Sequence, residues 1–181
     1  MSQSSLLHPP SFAKKVQAIQ VPAHRQALFA AMFSHSARFR SEDVSLQCKS
    51  DSMKFHNQAV DFIYDSLDEA SGEQSSLCLL QAMVLVTFYE VTKGVKGRAW
   101  RLLGSCVRVA YELYLHLIDY EALEESYKVG RGLSRWIEAE EARRCWWAIW
   151  KMDTFASVIR RLPTAIDWNM IDTHLPASDD H

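Results

Sequence analysis

The sequence contains little glycine and proline, with six Gly and five Pro in 181 residues. Collagen-like chains require far more of both residues, and disordered chains lack the apolar side chains that build a core. Here 48% of the residues are hydrophobic and 11% are aromatic. The composition therefore excludes both classes, and the length is typical of one globular domain that buries about 70% of its unfolded surface.

The four cysteines lie too far apart for a zinc knuckle or a redox motif, whose cysteines are only a few residues apart. They are Cys48, Cys78, Cys106 and Cys145. This spacing predicts buried free thiols in a reducing compartment. The N-terminus shows no charged and apolar pattern of a secretory signal. The longest apolar run, residues 77–89, is shorter than the ~20 residues of a membrane-spanning helix, so we predict no membrane contact.

The chain also lacks an excess of positive charge, because 20 Lys and Arg face 22 Asp and Glu for a net charge of −2. Phosphate neutralisation by Lys and Arg supplies most nonspecific DNA affinity. The domain as a whole is therefore not expected to bind DNA. Any DNA contact would come from a local patch or from another polypeptide segment.

Apolar residues recur at helical spacing along most of the chain, which predicts an all-α fold of five or six helices in a single domain. The predicted helices span residues 24–40, 53–70, 77–89, 98–119 and 137–160. Residues 129–135 are predicted to be a loop, and residues 164–176 an irregular arm returning along the surface. The helix at 77–89 is apolar nearly all round, so the others should pack against it. Ser71 and Gln74 suggest a capping box before it, and Gly94 is placed to end it.

Several charged residues lie in aromatic surroundings, and these are the informative ones: Arg98, Arg108, Glu112, Glu141, Arg143, Arg144 and Asp153. The first interpretation is an ion-pair network that fixes helix packing, which is commoner than a catalytic arrangement. Glu140 and Arg144 have the favourable i,i+4 order. Asp153 shares a helical face with tryptophans, so it is predicted to be partly buried and to need a partner such as an arginine from another helix.

Six tryptophans allow two interpretations, a stacking platform for flat ligands or a hydrophobic core. Helical spacing and the lack of a basic groove favour the core for Trp100, Trp136, Trp146, Trp147, Trp150 and Trp168. A short basic cluster, Lys93, Lys96, Arg98 and Arg101, could bind an anion at a helix start. A solvated face is the favoured interpretation, because the cluster is short and the domain is net acidic.

Motifs for catalysis are weak throughout the sequence. No two histidines lie three or four residues apart, as a helical metal site would require. Gly130 and Gly132 lack the third glycine of a dinucleotide loop, and Asp172 and His174 have no nucleophile near them. We therefore predict no enzyme, no metal site and no cofactor within this chain.

Two segments resemble the signatures of one known family. Residues 98–116, RAWRLLGSCVRVAYELYLH, resemble the signature helix of the fungal-specific transcription factor domain. This domain is also called the middle homology region or the xylanolytic activator regulatory domain. Residues 140–147, EEARRCWW, with Asp153, Ser157 and Pro163, are similar to its second signature. Residues 7–12 resemble the opening segment, and the similarity covers residues 7–176.

The sequence departs from the family pattern at two turns. Tyr114 stands where the family usually has Gly, and Arg161 and Leu162 replace the usual Gly-Arg before Pro163. Members also usually carry an N-terminal binuclear zinc cluster of six cysteines followed by a coiled coil, and neither occurs here. The resemblance therefore implies that residues 1–181 are one incomplete piece of a larger regulator. An incomplete domain is expected to expose an apolar patch and to self-associate.

The resemblance implies regulation of transcription in a fungal nucleus, with DNA binding and zinc supplied by a separate zinc-cluster module. A protein partner, a small-molecule effector and a homodimer remain open as partners. The alternative is an orphan or truncated helical scaffold, or a ligand-binding module without DNA binding. The candidate network comprises Arg98, Trp100, Arg108, Glu112, Glu141, Arg143, Arg144, Trp147 and Asp153. Within it, Arg108, Glu112, Arg143, Arg144 and Asp153 are expected to lock the two signature helices together.

Overall fold

The computed structural model describes residues 6–39, 46–68, 75–120 and 132–177. These ranges contain six α-helices, two short 3-10 helices and no β-strand, so the all-α prediction is confirmed. The α-helices are α1 (Pro9–Ala18), α2 (Pro22–Phe39), α3 (Leu46–Leu67), α4 (Leu77–Thr92), α5 (Gly97–Glu112) and α6 (Gly132–Arg160). The 3-10 helices are Leu115–Leu117 and Trp168–Met170.

Helix α4 is the centre of the fold, as its apolar circumference predicts. It contacts α2, α3, α5 and α6, and most of its side chains are buried, from Cys78 to Val91. Helix α2 packs along both α3 and α4, while α5 also contacts α6. The two helices that carry the family-like segments, α5 and α6, therefore lie against the same core helix.

Local signals fix the two ends of α4. The hydroxyl of Ser76 accepts a hydrogen bond from the Leu79 amide at 3.2 Å and so caps the first turn. The predicted capping residues Ser71 and Gln74 lie outside the described residues. Gly94 follows the last turn with a φ of +117°, a value that glycine adopts without steric cost. The prediction for the C-terminal end is confirmed.

The predicted boundaries of three other helices are wrong. Helix α3 begins at Leu46 rather than residue 53. Helix α5 ends at Glu112 rather than residue 119, because Tyr114 takes the left-handed conformation with a φ of +56°. Helix α6 begins at Gly132, inside the stretch predicted as a loop. Helix α1 was not predicted; proline occupies its first positions, where no amide is needed.

Helix α6 ends in a Schellman motif formed by the backbone of residues 157–162. The Leu162 amide bonds the Ser157 carbonyl at 3.1 Å, and the Arg161 amide bonds the Val158 carbonyl at 3.3 Å. Arg161 has a φ of +54°. This is the left-handed position that glycine normally fills, and it is one of the two places where the sequence departs from the family pattern.

We expect Arg161→Gly to raise the free energy of unfolding by about 0.5 to 1 kcal/mol. The left-handed conformation costs an L-residue about 1–2 kcal/mol, and the extra backbone entropy of glycine offsets about 0.5–1 kcal/mol of that relief. Urea unfolding measures the change. Arg161→Ala is the control, because alanine keeps the Cβ and should gain nothing. Equal stability of the glycine and alanine variants would contradict this account.

The cysteine prediction is confirmed for the three thiols whose side chains are described. Cys78, Cys106 and Cys145 are free and buried. Burial raises the pKa of Cys78 to about 11 and that of Cys106 to about 12, so both stay protonated at neutral pH. The side chain of Cys48 lies outside the described residues.

The core interpretation of the tryptophans holds for some of them only. Trp146 is fully buried and Trp147 nearly so, whereas Trp136 and Trp168 are 54% and 61% exposed. The core interpretation is wrong for these last two. Four further apolar side chains are exposed near the C-terminal end of α6. They are Phe155, Val158, Ile159 and Leu162. These exposed side chains agree with the apolar patch expected for the domain, and the expected self-association stays a prediction.

Candidate functional site

Arg143 and Asp119 form an ion pair that joins α6 to the chain following α5. The Arg143 Nε donates to Asp119 Oδ2 at 2.9 Å, and a second guanidinium nitrogen contacts Oδ1. The Asp119 side chain is 7% exposed and the Arg143 side chain is 16% exposed. Asp119 Oδ2 also accepts the backbone amide of His174 at 2.7 Å. One carboxylate, three residues beyond the first signature segment, therefore connects that part of the chain to α6 and to the C-terminal arm.

Glu140 holds the end of the same arm through two donors. Its Oε1 accepts Arg144 Nε at 2.9 Å and the Ala177 amide at 2.8 Å. Arg144 also donates to the Ala177 carbonyl at 3.2 Å. The predicted Glu140 to Arg144 pair is confirmed, and it gains a backbone partner that the helical pattern did not indicate.

Asp153 fixes the beginning of the arm. Its Oδ2 accepts the amides of Ala165 and Ile166 at 2.8 and 3.1 Å. The prediction that Asp153 is buried is confirmed, since it is 1% exposed. The expected arginine partner is wrong, because both of these donors are main-chain amides. Irregular backbone near a core needs such acceptors, since it cannot satisfy its own polar groups.

Trp147 contributes a third kind of contact, with its indole Nε1 donating to the His174 carbonyl at 2.7 Å. The arm thus follows α6 from Asp153 to Glu140, and side chains of α6 bind its backbone at both ends. We call the set Asp119, Glu140, Arg143, Arg144, Trp147 and Asp153 the arm clamp. Four of its six members, Arg143, Arg144, Trp147 and Asp153, were among the predicted candidates.

The electrostatics of the arm clamp follow from burial and hydrogen bonding. Burial alone would raise the pKa of Asp119, but the hydrogen bonds from Arg143 and the His174 amide outweigh it and hold the pKa below its usual value. The same contact with Asp119 raises the pKa of Arg143. Burial raises the pKa of Asp153 in spite of its two amide donors. The clamp is therefore strongest when Asp119 is ionised.

We expect stability to fall when Asp119 is protonated at low pH. A carboxyl whose pKa is lowered by folding contributes its full stabilisation above its unfolded pKa of about 3.9, and this is lost as the pH falls through the folded pKa. The free energy of unfolding, measured at several pH values from pH 6 down to about pH 2.5, should therefore fall less steeply with decreasing pH for Asp119→Asn than for the unchanged protein. Asp61→Asn, at an exposed position of α3, is the comparison. Identical slopes in all three proteins would contradict the assignment.

Glu141 faces away from the arm and binds the N-terminal segment. Its Oε1 accepts the His8 amide at 2.7 Å, and its Oε2 forms an ion pair with Lys15. Gln81 of α4, fully buried, accepts from Lys15 Nζ at 2.9 Å and donates to the Leu6 carbonyl at 3.0 Å. We call Glu141, Gln81 and Lys15 the N-terminal anchor. Neighbouring glutamates of α6 thus hold opposite ends of the described chain.

The remaining predicted residues lie outside both groups. Arg98 pairs with Glu90 at 3.6 Å, and Trp100 lies beneath the Arg160 guanidinium at 5.9 Å. Arg108 donates to the Gly104 carbonyl of its own helix at 3.2 Å, and Glu112 accepts from the Ser75 hydroxyl at 3.0 Å. The structure therefore does not bring Arg108 and Glu112 together with Arg143, Arg144 and Asp153.

The predicted basic cluster is partly engaged with aromatic and acidic neighbours. Lys93 Nζ lies 4.0 Å from the centre of the Tyr89 ring, on which His56 also stacks at 4.2 Å. His56 Nε2 lies 2.5 Å from Glu90 Oε1. Burial lowers the pKa of His56 more than Glu90 raises it. Lys96 and Arg101 are exposed, and this arrangement agrees with the solvated-face interpretation.

Sequence reasoning missed Asp119, Lys15 and Gln81 as site residues. Asp119 and Lys15 contact α6 across 24 and 126 residues of sequence, and Gln81 contacts Lys15 across 66 residues, so no periodic pattern relates these three residues. Among the described residues, no group of three or more His, Cys, Asp or Glu side chains is arranged to hold a metal ion. Within the same ranges, every helix is too short or too polar to cross a bilayer.

Comparisons with known proteins extend these observations. The model of the fungal specific transcription factor domain family matches residues 2–181. Transcription factor tazR of Aspergillus terreus is 32% identical over 102 residues, which is 56% of this chain and 15% of that protein. A Zn(2)-C6 fungal-type transcription factor of Fusarium oxysporum f. sp. lycopersici is 25% identical over 174 residues, 96% of this chain and 18% of that protein.

A further relative is the ascochitine biosynthesis cluster transcriptional regulator of Didymella fabae. It is 30% identical over 101 residues, 56% of this chain and 17% of that protein. The chain thus spans less than a fifth of the length of these three relatives. No solved structure matches the chain significantly.

Proposed function

This chain belongs to the fungal specific transcription factor domain family, and we propose that it regulates DNA-templated transcription in the nucleus by controlling an attached zinc-cluster module. It is a regulatory domain of a fungal transcription factor, in a family of transcription regulators. The relative named as a Zn(2)-C6 transcription factor supports a zinc cluster as the DNA reader. In this proposal the zinc and the DNA contacts belong to that module.

The arm clamp is the observation that supports a regulatory role for this domain. It ties the second family-like segment to the chain that follows the first one, since Arg143 of α6 binds Asp119, three residues beyond residue 116. The arm between Pro163 and Ala177 is held largely by hydrogen bonds to its backbone, and most of its side chains are exposed. An element held by a few polar contacts, with little apolar burial, has a low free energy of local opening.

Regulation requires two arrangements whose balance a ligand or partner shifts. In the first arrangement, the clamp holds the arm against α6. In the second, the arm is released and the polar groups of Asp119, Arg143 and Glu140 become available to a partner. A ligand or a protein that binds one arrangement better changes the population by its differential affinity alone.

The proposed role is tested by chromatin association. The tagged full-length product expressed from its own locus is compared with the 181-residue chain expressed alone. Enrichment of the long product at discrete promoters, and no enrichment of the 181-residue chain, is the expected result. If neither product is found on chromatin or in the nucleus, the proposal is overturned and the orphan scaffold is favoured.

The clamp is tested by reversing its charges in that full-length product. Arg143→Glu combined with Arg144→Glu places like charges beside Asp119 and Glu140, so the arm should detach and promoter output should change. Arg108→Glu is the matched control, because Arg108 is exposed and bonds its own helix. Unchanged stability together with unchanged promoter output in the double variant would overturn the role of the clamp.

A further inference from the structure

A cavity of about 320 Å³ lies between the N-terminal segment and helices α2 and α4. One wall is formed by the segment at residues 6–12, including Leu7 and Phe12. The opposite wall is formed by Met32 of α2 and Leu85 of α4. The cavity is thus closed on one side by a segment that is separate from the helical core.

The N-terminal anchor holds that wall in place. Gln81 binds the Leu6 carbonyl and Glu141 binds the His8 amide, so the backbone of the wall is fixed at two points. Lys15 contacts both of these side chains. Both Gln81 and Glu141 are buried, which makes the docked position specific rather than an adventitious contact. A ligand in the cavity would touch the segment and the core at once.

The lining determines which ligands fit. Among the described residues that line the cavity, none is Asp, Glu, Lys or Arg. His35 Nε2 donates to the Leu85 carbonyl at 2.8 Å, because a carbonyl oxygen can only accept, and burial lowers the pKa of His35. The imidazole is therefore neutral at pH 7. A charged ligand would leave its charge unpaired in such a site, at a large cost in free energy. The lining therefore favours an uncharged ligand.

The volume of the cavity and its single hydroxyl among the described lining residues limit the class of ligand further. An apolar cavity of about 150 Å³ in another protein accepts benzene, so a cavity about twice as large accommodates two fused rings. Ser36 is the lining residue that carries a hydroxyl, and it is exposed at the cavity mouth. A hydroxyl can donate to or accept from one polar substituent of the ligand. Pockets of this kind combine apolar walls with a few polar groups that fix orientation.

We propose that this cavity binds an uncharged bicyclic aromatic compound that carries one hydroxyl or carbonyl group. The ligand packs between Phe12, Met32 and Leu85, with its polar group towards Ser36. Binding stabilises the docked N-terminal segment, because that segment supplies one wall. Since Glu141 holds the segment to α6, the ligand is linked to the helix that carries the arm clamp. This regulatory link rests on the proposed function, whereas the binding step does not.

The test uses 2-naphthol as the probe, titrated into the purified 181-residue chain by isothermal calorimetry. The expected result is saturable binding to one site. Ser36→Trp fills the cavity from its mouth at an exposed position and should weaken binding at least tenfold. Gln26→Trp introduces the same side chain at an exposed position of α2 that does not line the cavity, and should bind as the unchanged protein does.

Absence of saturable binding by the unchanged protein would overturn the proposal. Equal binding by Ser36→Trp would also overturn it, and would place the probe elsewhere, for example in the cleft beside Trp150 and Trp168. Amide hydrogen exchange of the unchanged protein gives a readout that needs no variant. Saturating 2-naphthol should slow exchange in α1, and unchanged exchange there would contradict the assigned site.

The outcome is independent of the chromatin experiment. A chain that binds 2-naphthol at this site but whose full-length product never associates with promoters would overturn the proposed function and leave the cavity assignment intact. If the full-length product associates with promoters but the chain does not bind 2-naphthol, the cavity assignment is overturned and the proposed function stands.

Discussion

Replacing Arg143 by alanine is expected to lower the free energy of unfolding by about 3 kcal/mol. Breaking a buried ion pair costs about 3–5 kcal/mol because the remaining charge loses its partner, and the slight exposure of Arg143 places the expected cost at the lower end. Asp119 would keep the His174 amide but lose both guanidinium contacts. Urea unfolding, followed by circular dichroism, measures the change.

The matched control is Arg108→Ala on α5, whose guanidinium is exposed and contacts a carbonyl of its own helix. Exposed charges of this kind usually contribute less than about 0.5 kcal/mol. A double-mutant cycle with Asp119→Ala isolates the coupling between the two side chains, which should account for most of the loss. A loss for Arg143→Ala no larger than that for Arg108→Ala would show that the clamp contributes nothing to stability.

Replacing Glu141 by alanine is expected to cost about 2 kcal/mol and to release the N-terminal segment. The change removes the acceptor of the His8 amide and the carboxylate partner of Lys15. Lys15 still has Gln81 as an acceptor. An unsatisfied buried donor costs about 1–3 kcal/mol. Limited trypsin digestion should then cleave after Lys14 or Lys15 several times faster than in the unchanged protein, before the core is digested.

Two comparisons make this second result specific. Glu141→Gln keeps an acceptor for the His8 amide and loses only the charge, so its loss of stability should be the smaller one. Glu112→Ala removes an exposed carboxylate on α5 and should leave the cleavage rate unchanged. Cleavage at the same rate in Glu141→Ala and Glu112→Ala would mean that the anchor does not hold the segment.

The two losses have different consequences for function. The Arg143 variant weakens the C-terminal arm, whereas the Glu141 variant weakens the wall of the apolar cavity. Both side chains belong to α6, within the segment EEARRCWW. Their separate effects on promoter output and on 2-naphthol binding would show whether α6 connects the two ends of the domain.

Much of the fold was predictable from local sequence patterns. The apolar circumference of residues 77–89 predicts the central helix, because a helix without a polar face has to be surrounded. Gly94 predicts the end of α4, because glycine adopts a positive φ without steric cost. The end of α6 at Arg160 follows from Pro163, since the residues before a proline are poorly suited to continue a helix.

Local patterns gave less guidance where the chain departs from local preference. Tyr114 and Arg161 take left-handed conformations that their residue types disfavour, so the sequence did not indicate the end of α5 at Glu112. Packing elsewhere in the chain holds Tyr114 there, since the following residues bond the arm through Asp172 and His116. Trp168 in the arm is 61% exposed although its residue type favours burial.

The sequence by itself determined the helical class, the core helix, most helix positions and the membership of α6 residues in the site, because each depends on periodicity or on short motifs. Only the tertiary structure decided the partners. Asp119 meets Arg143, Gln81 meets Lys15, and Asp153 meets the amides of the arm rather than an arginine. Such contacts depend on how distant segments pack, and the period of a helix specifies which face a residue occupies but not which segment covers that face.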